Sequence, residues 1–153
     1  MAKTVVTPQG YGKPAAPYSL ATKSGNLVFV SGMVSINEKG ELVGAGDIRA
    51  QTRQVLNNIR AAVVAAGGGL PDVTKTTIYL PDLADYAGMN EVYREFFAAE
   101  PPARATVQAG LIKPEFLIEI EAIAVVGGAA PVRRTTARHA PRNSKKAGSK
   151  KRK

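Results

Sequence analysis

Glu119 and Glu121 stand two residues apart inside the apolar run from Ile118 to Val126, and two acids at that spacing in a strand project to the same face of a sheet. Such a face calls for water or cations beside it. Two readings follow: a solvent-facing edge of the sheet, or an interface at which one carboxylate meets a cation or a catalytic water. Arg104 is the complementary group. It follows Pro101, Pro102 and Ala103 and opens a strand, so its guanidinium is held at the end of an element and can grip a carboxylate ligand through two parallel hydrogen bonds. As an isolated residue it also fits an ordinary surface arginine.

What is absent narrows the chemistry further. The 153 residues contain no cysteine and one histidine, His139, which removes thiolate nucleophiles and zinc sites of the cysteine type. A Ser-His-Asp triad needs a histidine on a rigid scaffold, and zinc hydrolases use two or three. His139 lies in an arginine- and lysine-rich stretch and serves neither. The length suits one domain able to bury a core without disulfides or metals.

The formal charge of +9 is unevenly spread. Residues 1–126 carry 11 Lys and Arg against 12 Asp and Glu, a net of −1, whereas residues 127–153 carry 10 basic residues and no acid. That basic segment has one large aliphatic residue, Val132, too little apolar surface to offset the entropy of ordering, so it reads as a disordered tail. The domain boundary falls at Gly127 and Gly128. No run of eighteen apolar residues suggests a transmembrane helix, and the N-terminus lacks the apolar stretch of a secretory signal, so a cytoplasmic protein is expected. In a eukaryote KKAGSKKRK would resemble a nuclear signal.

The elements that must position Arg104 and the two acids follow from periodicity. Tyr18 to Thr22 and Leu27 to Ser31 suit strands and flank the turn-forming Lys23 to Asn26, a hairpin signal. Asp47 is a helix N-cap, and Ile48, Thr52, Val55, Leu56, Ile59, Val63 and Ala66 recur at spacings of three and four, with Gly67 able to end the helix. Val73 to Leu80 reads as a strand. A second helix from near Asp85 carries Met89, Val92, Tyr93, Phe96 and Phe97 on one side and stops before Pro101 and Pro102. Arg104 to Ala109 and Phe116 to Val125 are the last strands. Helices following strands, on one face of a mixed sheet, predict an α+β two-layer domain with two main helices.

Six blocks of this text, APYSLA at residues 16–21, FVSGMV at 29–34, DIRAQTRQVLNNIRAAVVAAG at 47–67, VTKTTIYLPDLADYAGMNEVY at 73–93, PPARATV at 101–107 and IEIEAIAVV at 118–126, resemble the RidA/YjgF family of reactive-intermediate deaminases, also described as the endoribonuclease L-PSP family. The resemblance covers nearly all of residues 14–126, and the arginine block is the family signature. It implies a chorismate-mutase-like fold assembled as a homotrimer, with sheets forming a central barrel, helices outside and three clefts between neighbouring subunits. It also implies that Arg104 binds the carboxylate of a 2-imino acid, that Glu119 orients the hydrolytic water, and that Tyr18, Gly32 and Asn90 belong to the same cleft.

The chain departs from the family's best-known members at Thr106, where cysteine is frequent, at Ala105, where serine is, and at Met33, where glutamine is. Thr106 adjoins the implied cleft, so these differences bear on substrate range more than on reaction class. An imine beside a carboxylate is already electrophilic, and the site has mainly to orient it, hold a water and support proton transfer. Neither metal, cofactor nor covalent nucleophile is implied. The expected activity is hydrolysis of 2-iminobutanoate or 2-iminopropanoate, as released by pyridoxal-phosphate dehydratases, to 2-keto acids and ammonia. Two alternatives are a nucleic-acid-associated protein, whose basic tail binds polyanions weakly, and a non-catalytic trimer that holds a carboxylate ligand.

Overall fold

Asp47 caps the first helix as its sequence position suggests, its carboxylate accepting hydrogen bonds from the backbone N–H groups of Arg49 and Ala50 at 2.9 and 3.2 Å. The helix, α1, spans Ile48–Ala65 and buries Ile48, Thr52, Val55, Leu56, Ile59 and Val63 along one stripe. Gly67 follows its end with φ of 91°, the left-handed conformation that closes a helix and favours glycine. The second helix, α2, spans Tyr86–Phe96 and buries Gly88, Met89, Val92 and Tyr93. A Cβ on Gly88 would stand 2.8 Å from Ile48 Cγ2, so the bare glycine lets the two helices touch. At the surface of this pair Arg49 and Arg53 grip Glu91 and Glu95 with paired contacts of 2.6 and 2.9 Å each.

The computed structural model describes residues 2–127; Met1 and the basic segment from residue 128 onward lie outside the described residues. In chain order the strands are β1 (Thr4–Val6), β2 (Ala21–Ser24), β3 (Leu27–Met33), β4 (Val73–Leu80), β5 (Ala103–Gln108) and β6 (Glu119–Val125). They form one mixed sheet in the order β1-β2-β3-β6-β4-β5. Only β4 and β5 pair in parallel, as their connection through α2 requires. The result is the α+β arrangement of one sheet and two main helices.

Alternation sorts the sheet into two unlike faces. Val28, Val30 and Met33 of β3, Ile120, Ala122 and Ala124 of β6, and Val73, Ile78 and Leu80 of β4 are buried in one cluster with the helices; each large aliphatic side chain placed there contributes roughly 1.5–3 kcal/mol. The opposite parity is uncovered by any described residue. Leu27 and Phe29 remain 40% and 44% exposed there, beside Glu121, which is also exposed.

Several boundaries differ from the sequence reading. The N-terminal strand β1 was not anticipated, and it pairs with β2 through Thr4 to Val6. The hairpin turn is Gly25 and Asn26 alone, because Lys23 and Ser24 pair with Val28 and Leu27 as strand residues, leaving Tyr18 before the strand. β6 starts at Glu119 and not at Phe116. The preceding segment is tied to α1 by Gln51, whose side chain donates to the Glu115 carbonyl at 2.8 Å and accepts from the Leu117 N–H at 2.9 Å. Nor does the acid pair sit at a sheet edge, since β6 lies between β3 and β4.

Candidate active site

β5 is an edge strand, and its register sets Arg104 beside Thr76 of β4, a fully buried residue. Partners in adjacent strands point the same way, so Arg104 rises on the helix-bearing face. There its guanidinium is fixed from three directions. Nη1 donates to Asn90 Oδ1 at 2.7 Å and Nη2 to the Tyr86 hydroxyl at 3.1 Å. Its carbon lies 4.8 Å from the centre of the Tyr93 ring and 5.8 Å from that of Tyr86, contacts worth about 0.5–2 kcal/mol each.

Tyr93 is itself immobilised. Its hydroxyl shares a 2.8 Å hydrogen bond with Thr76 Oγ1, and its ring packs on Phe97 at 4.7 Å. Burial raises the Tyr93 hydroxyl pKa against the opposing pull of Thr76 and Arg104, which keeps it neutral. The cleft around Arg104 has a volume of about 390 Å³ and is walled by Tyr86, Asn90, Tyr93, Arg94, Phe97, Pro101 and Pro102. No carboxylate lines it. Thr106, two residues along the strand, shares the face of Arg104, and its buried Oγ1 has no hydrogen-bond partner among the described residues.

A second group forms elsewhere. Glu119 lies against Gly32: a Cβ at that glycine would collide with Glu119 Oε1 and stand 2.8 Å from Cδ. Gly32 and Tyr18 share a cavity of about 170 Å³ with Leu20 and Met33. Tyr18 is 52% exposed, on a segment held to β3 by the 2.7 Å hydrogen bond from Ser31 Oγ to the Ser19 carbonyl. Burial raises the Glu119 carboxyl pKa above the ordinary carboxylate range, and the neighbouring charge of Glu121 adds to the shift.

The fold therefore gathers the residues expected from the sequence into two sets. Arg104, Asn90 and Thr106 form one; Tyr18, Gly32 and Glu119 form the other. Register shows why they stay apart in one chain. Glu119 pairs with Tyr79 and Glu121 with Thr77, a parity opposite to that of Thr76 and Arg104, so the arginine and the acid point to opposite faces of the sheet. Sequence reasoning missed Tyr86 and placed Tyr93 only in an apolar stripe. Tyr86, Asn90 and Tyr93 recur at intervals of four and three along α2, the signal by which a helix facing β5 could have been recognised.

Among the described residues no three His, Cys, Asp or Glu side chains gather as a metal site requires, and no helix is long and apolar enough to cross a membrane. The chain and its fold have counterparts among known proteins. The sequence model of the family described as Endoribonuclease L-PSP matches residues 11–126. The chain is 48% identical over 126 residues to 3-aminoacrylate deaminase RutC of Acinetobacter baylyi, covering 82% of this chain and all of that protein. It is 50% identical over 123 residues to a RutC family protein of Pyrococcus horikoshii, covering 80% of this chain and 97% of the relative. Among solved structures, Escherichia coli TdcF with bound serine matches with a TM-score of 0.73 at 36% identity, over 80% of this chain and 98% of that one. The YjgF gene product of E. coli matches at 0.74 and 37%, over the same shares of the two chains. The chain belongs to the RidA/YjgF family.

Proposed function

We propose that this protein is an imine deaminase that hydrolyses short 2-imino acids, such as 2-iminobutanoate and 2-iminopropanoate, to 2-keto acids and ammonia. The observation that carries the reading is the Arg104 guanidinium, held by Asn90, Tyr86 and Tyr93 in a cleft without an acid. A guanidinium so oriented receives the carboxylate of the substrate bidentately. The name of the A. baylyi relative, a deaminase acting on 3-aminoacrylate, supports the reaction class.

Glu119 supplies the other requirement. The substrate carboxylate on Arg104 fixes the imine carbon, and a water held by Glu119 attacks it. The new C–O bond forms as the C=N electron pair moves to nitrogen, which takes a proton. The hydroxyl proton of the resulting carbinolamine then passes to the nitrogen through Glu119, the C–N bond breaks as the carbonyl forms, and the nitrogen leaves as ammonia. The raised pKa of Glu119 suits a group that passes protons between water and nitrogen.

Arg104 and Glu119 meet only if a second copy brings its uncovered sheet face against the Arg104 edge of the first. The exposed Leu27, Phe29 and Val107 supply apolar area for such a contact. A homotrimer satisfies this requirement with three equivalent clefts, each taking Arg104 from one subunit and Tyr18, Gly32 and Glu119 from its neighbour.

The family description, Endoribonuclease L-PSP, favours a second reading as a nucleic-acid-associated protein. The ten basic residues of 127–153 suit polyanion binding with a steep salt dependence. Both readings meet a direct test. A dehydratase releases 2-iminobutanoate or 2-iminopropanoate, and keto-acid formation is followed with the protein and with Arg104→Ala. Acceleration abolished by the substitution supports the deaminase; no acceleration by the wild type refutes it. Removal of residues 127–153 should end retention on heparin without changing the deaminase rate.

A further inference from the structure

The charges of α2 are sorted. Glu91 and Glu95, one turn apart, are each taken by an arginine of α1 in a two-bonded pair. Asn90 and Arg94, the adjacent stripe, turn to the cleft beside β5. Arg94 has no ion-pair partner among the described residues. Glu91 is three residues away, but its two oxygens are occupied by Arg49. Glu100 lines a separate hollow of about 100 Å³ with Phe96 and Phe97. Within one chain the cleft is thus lined by two arginines and no acid.

One arginine suffices for the carboxylate of a simple 2-imino acid. Asn90, the anchor of Arg104, and Arg94 lie one helical turn apart, about 5–6 Å between Cβ atoms. Arg94 and Arg104 line the same cleft, so a short dicarboxylate bound there can present one end to each. Tyr86, Tyr93 and Phe97 line the same cleft with ring surface.

We propose that the Arg104 cleft selects dianionic ligands, and that its substrates include 2-imino acids carrying a second carboxylate on the side chain, bound by Arg94. The identity of the substrate rests on the deaminase reading; the dianion preference does not. The chemistry at the imine carbon is unchanged, since the second carboxylate stays bound to Arg94 while water adds and ammonia leaves.

Titration calorimetry of the full chain with succinate and with butanoate, at constant ionic strength, tests the preference. Succinate should bind at least about tenfold more tightly than butanoate, and Arg94→Gln should bring the two ligands to near parity. The basic segment is the same in both proteins, so any attraction of succinate to it cancels in the comparison. Arg94 is exposed and without an ion pair, so the substitution leaves the fold in place, which far-ultraviolet circular dichroism verifies. Equal affinities in the wild type, or a preference that survives Arg94→Gln, would overturn the proposal. A second arm compares hydrolysis of 2-iminosuccinate and 2-iminobutanoate, released by flavin-dependent amino-acid oxidases. Arg94→Gln should lower the ratio of the two kcat/KM values at least about tenfold. Succinate preference without hydrolysis of either imine would sink the deaminase reading and leave the dianion cleft standing. Arg104-dependent hydrolysis without a diacid preference would do the reverse.

Discussion

Gly32→Ala separates the position of the Glu119 carboxylate from the stability of the fold. The added methyl would overlap Glu119 Oε1 and stand 2.8 Å from Cδ and 3.1 Å from Cγ. Carbon atoms pack comfortably at about 3.5–4.0 Å, so the side chain must retreat by on the order of 1 Å. The group that yields is the far end of a flexible side chain, and overpacking of this kind should cost no more than about 1–2 kcal/mol. Catalysis is less forgiving. A misplacement of about 1 Å lowers a rate by on the order of a hundredfold, which is about 2.7 kcal/mol in the barrier. Imine hydrolysis by a dehydratase-coupled assay and thermal unfolding of the same preparation report the two quantities. A rate within about threefold of wild type would refute the assignment of Glu119 to the water. A stability loss above about 3 kcal/mol would contradict the packing argument, because something more rigid than the carboxylate would then be resisting the methyl.

Asn90→Ala releases one side of the Arg104 guanidinium and should lower kcat/KM by about tenfold, chiefly through KM, as read from steady-state kinetics. Activity that needs ionised Glu119 should fall as pH drops through its raised pKa, so the acid limb lies above the ordinary carboxylate range. Glu121→Gln removes the repulsive charge and should move that limb to lower pH in a pH–rate profile. The same shift has a stability sign: a carboxyl with a folded pKa above its unfolded value binds its proton more tightly when folded, so ionised Glu119 is destabilising above that pKa and neutral in acid. Glu119→Gln should therefore raise stability at neutral pH and not in acid, by denaturant titration. Asn58, 2% exposed, donates to the Val34 and Ile36 carbonyls at 3.0 and 2.8 Å and accepts from Tyr11 at 2.6 Å. Asn58→Leu leaves those groups without partners and should cost about 3 kcal/mol in chemical denaturation.

Local signals located most of the elements. The Asp47 cap and the three-and-four spacing behind it mark α1, and β4 runs over Val73–Leu80 as its β-branched residues suggest. Failures came where long-range partners decide. β1 is three residues long and is a strand only through β2, and Phe116 to Ile118 read as strand although Gln51 of α1 takes the Glu115 carbonyl and the Leu117 N–H. The parity of Glu119 and Glu121 was legible, but the position of β6 in the sheet was not. Alternation sets the face a residue takes and says nothing of which strands flank it. Arg104 and Glu119 were singled out by residue type and position and given their roles by resemblance, which alone supplied Asn90. That Arg104 and Glu119 stand on opposite faces needed two registers at once, and the part of Tyr86 and Tyr93 in holding the guanidinium needed the docking of α2 beside β5.

The most direct test of a site shared between two copies is complementation. Arg104→Ala and Glu119→Gln are each expected to be inactive in imine hydrolysis. Co-expressed in equal amounts, they form mixed oligomers in which a cleft can pair the intact Arg104 of one chain with the intact Glu119 of the other. Random assembly restores about one quarter of the clefts, and with them about one quarter of wild-type activity. Mixed oligomers verified by mass spectrometry that remain inactive would contradict the account.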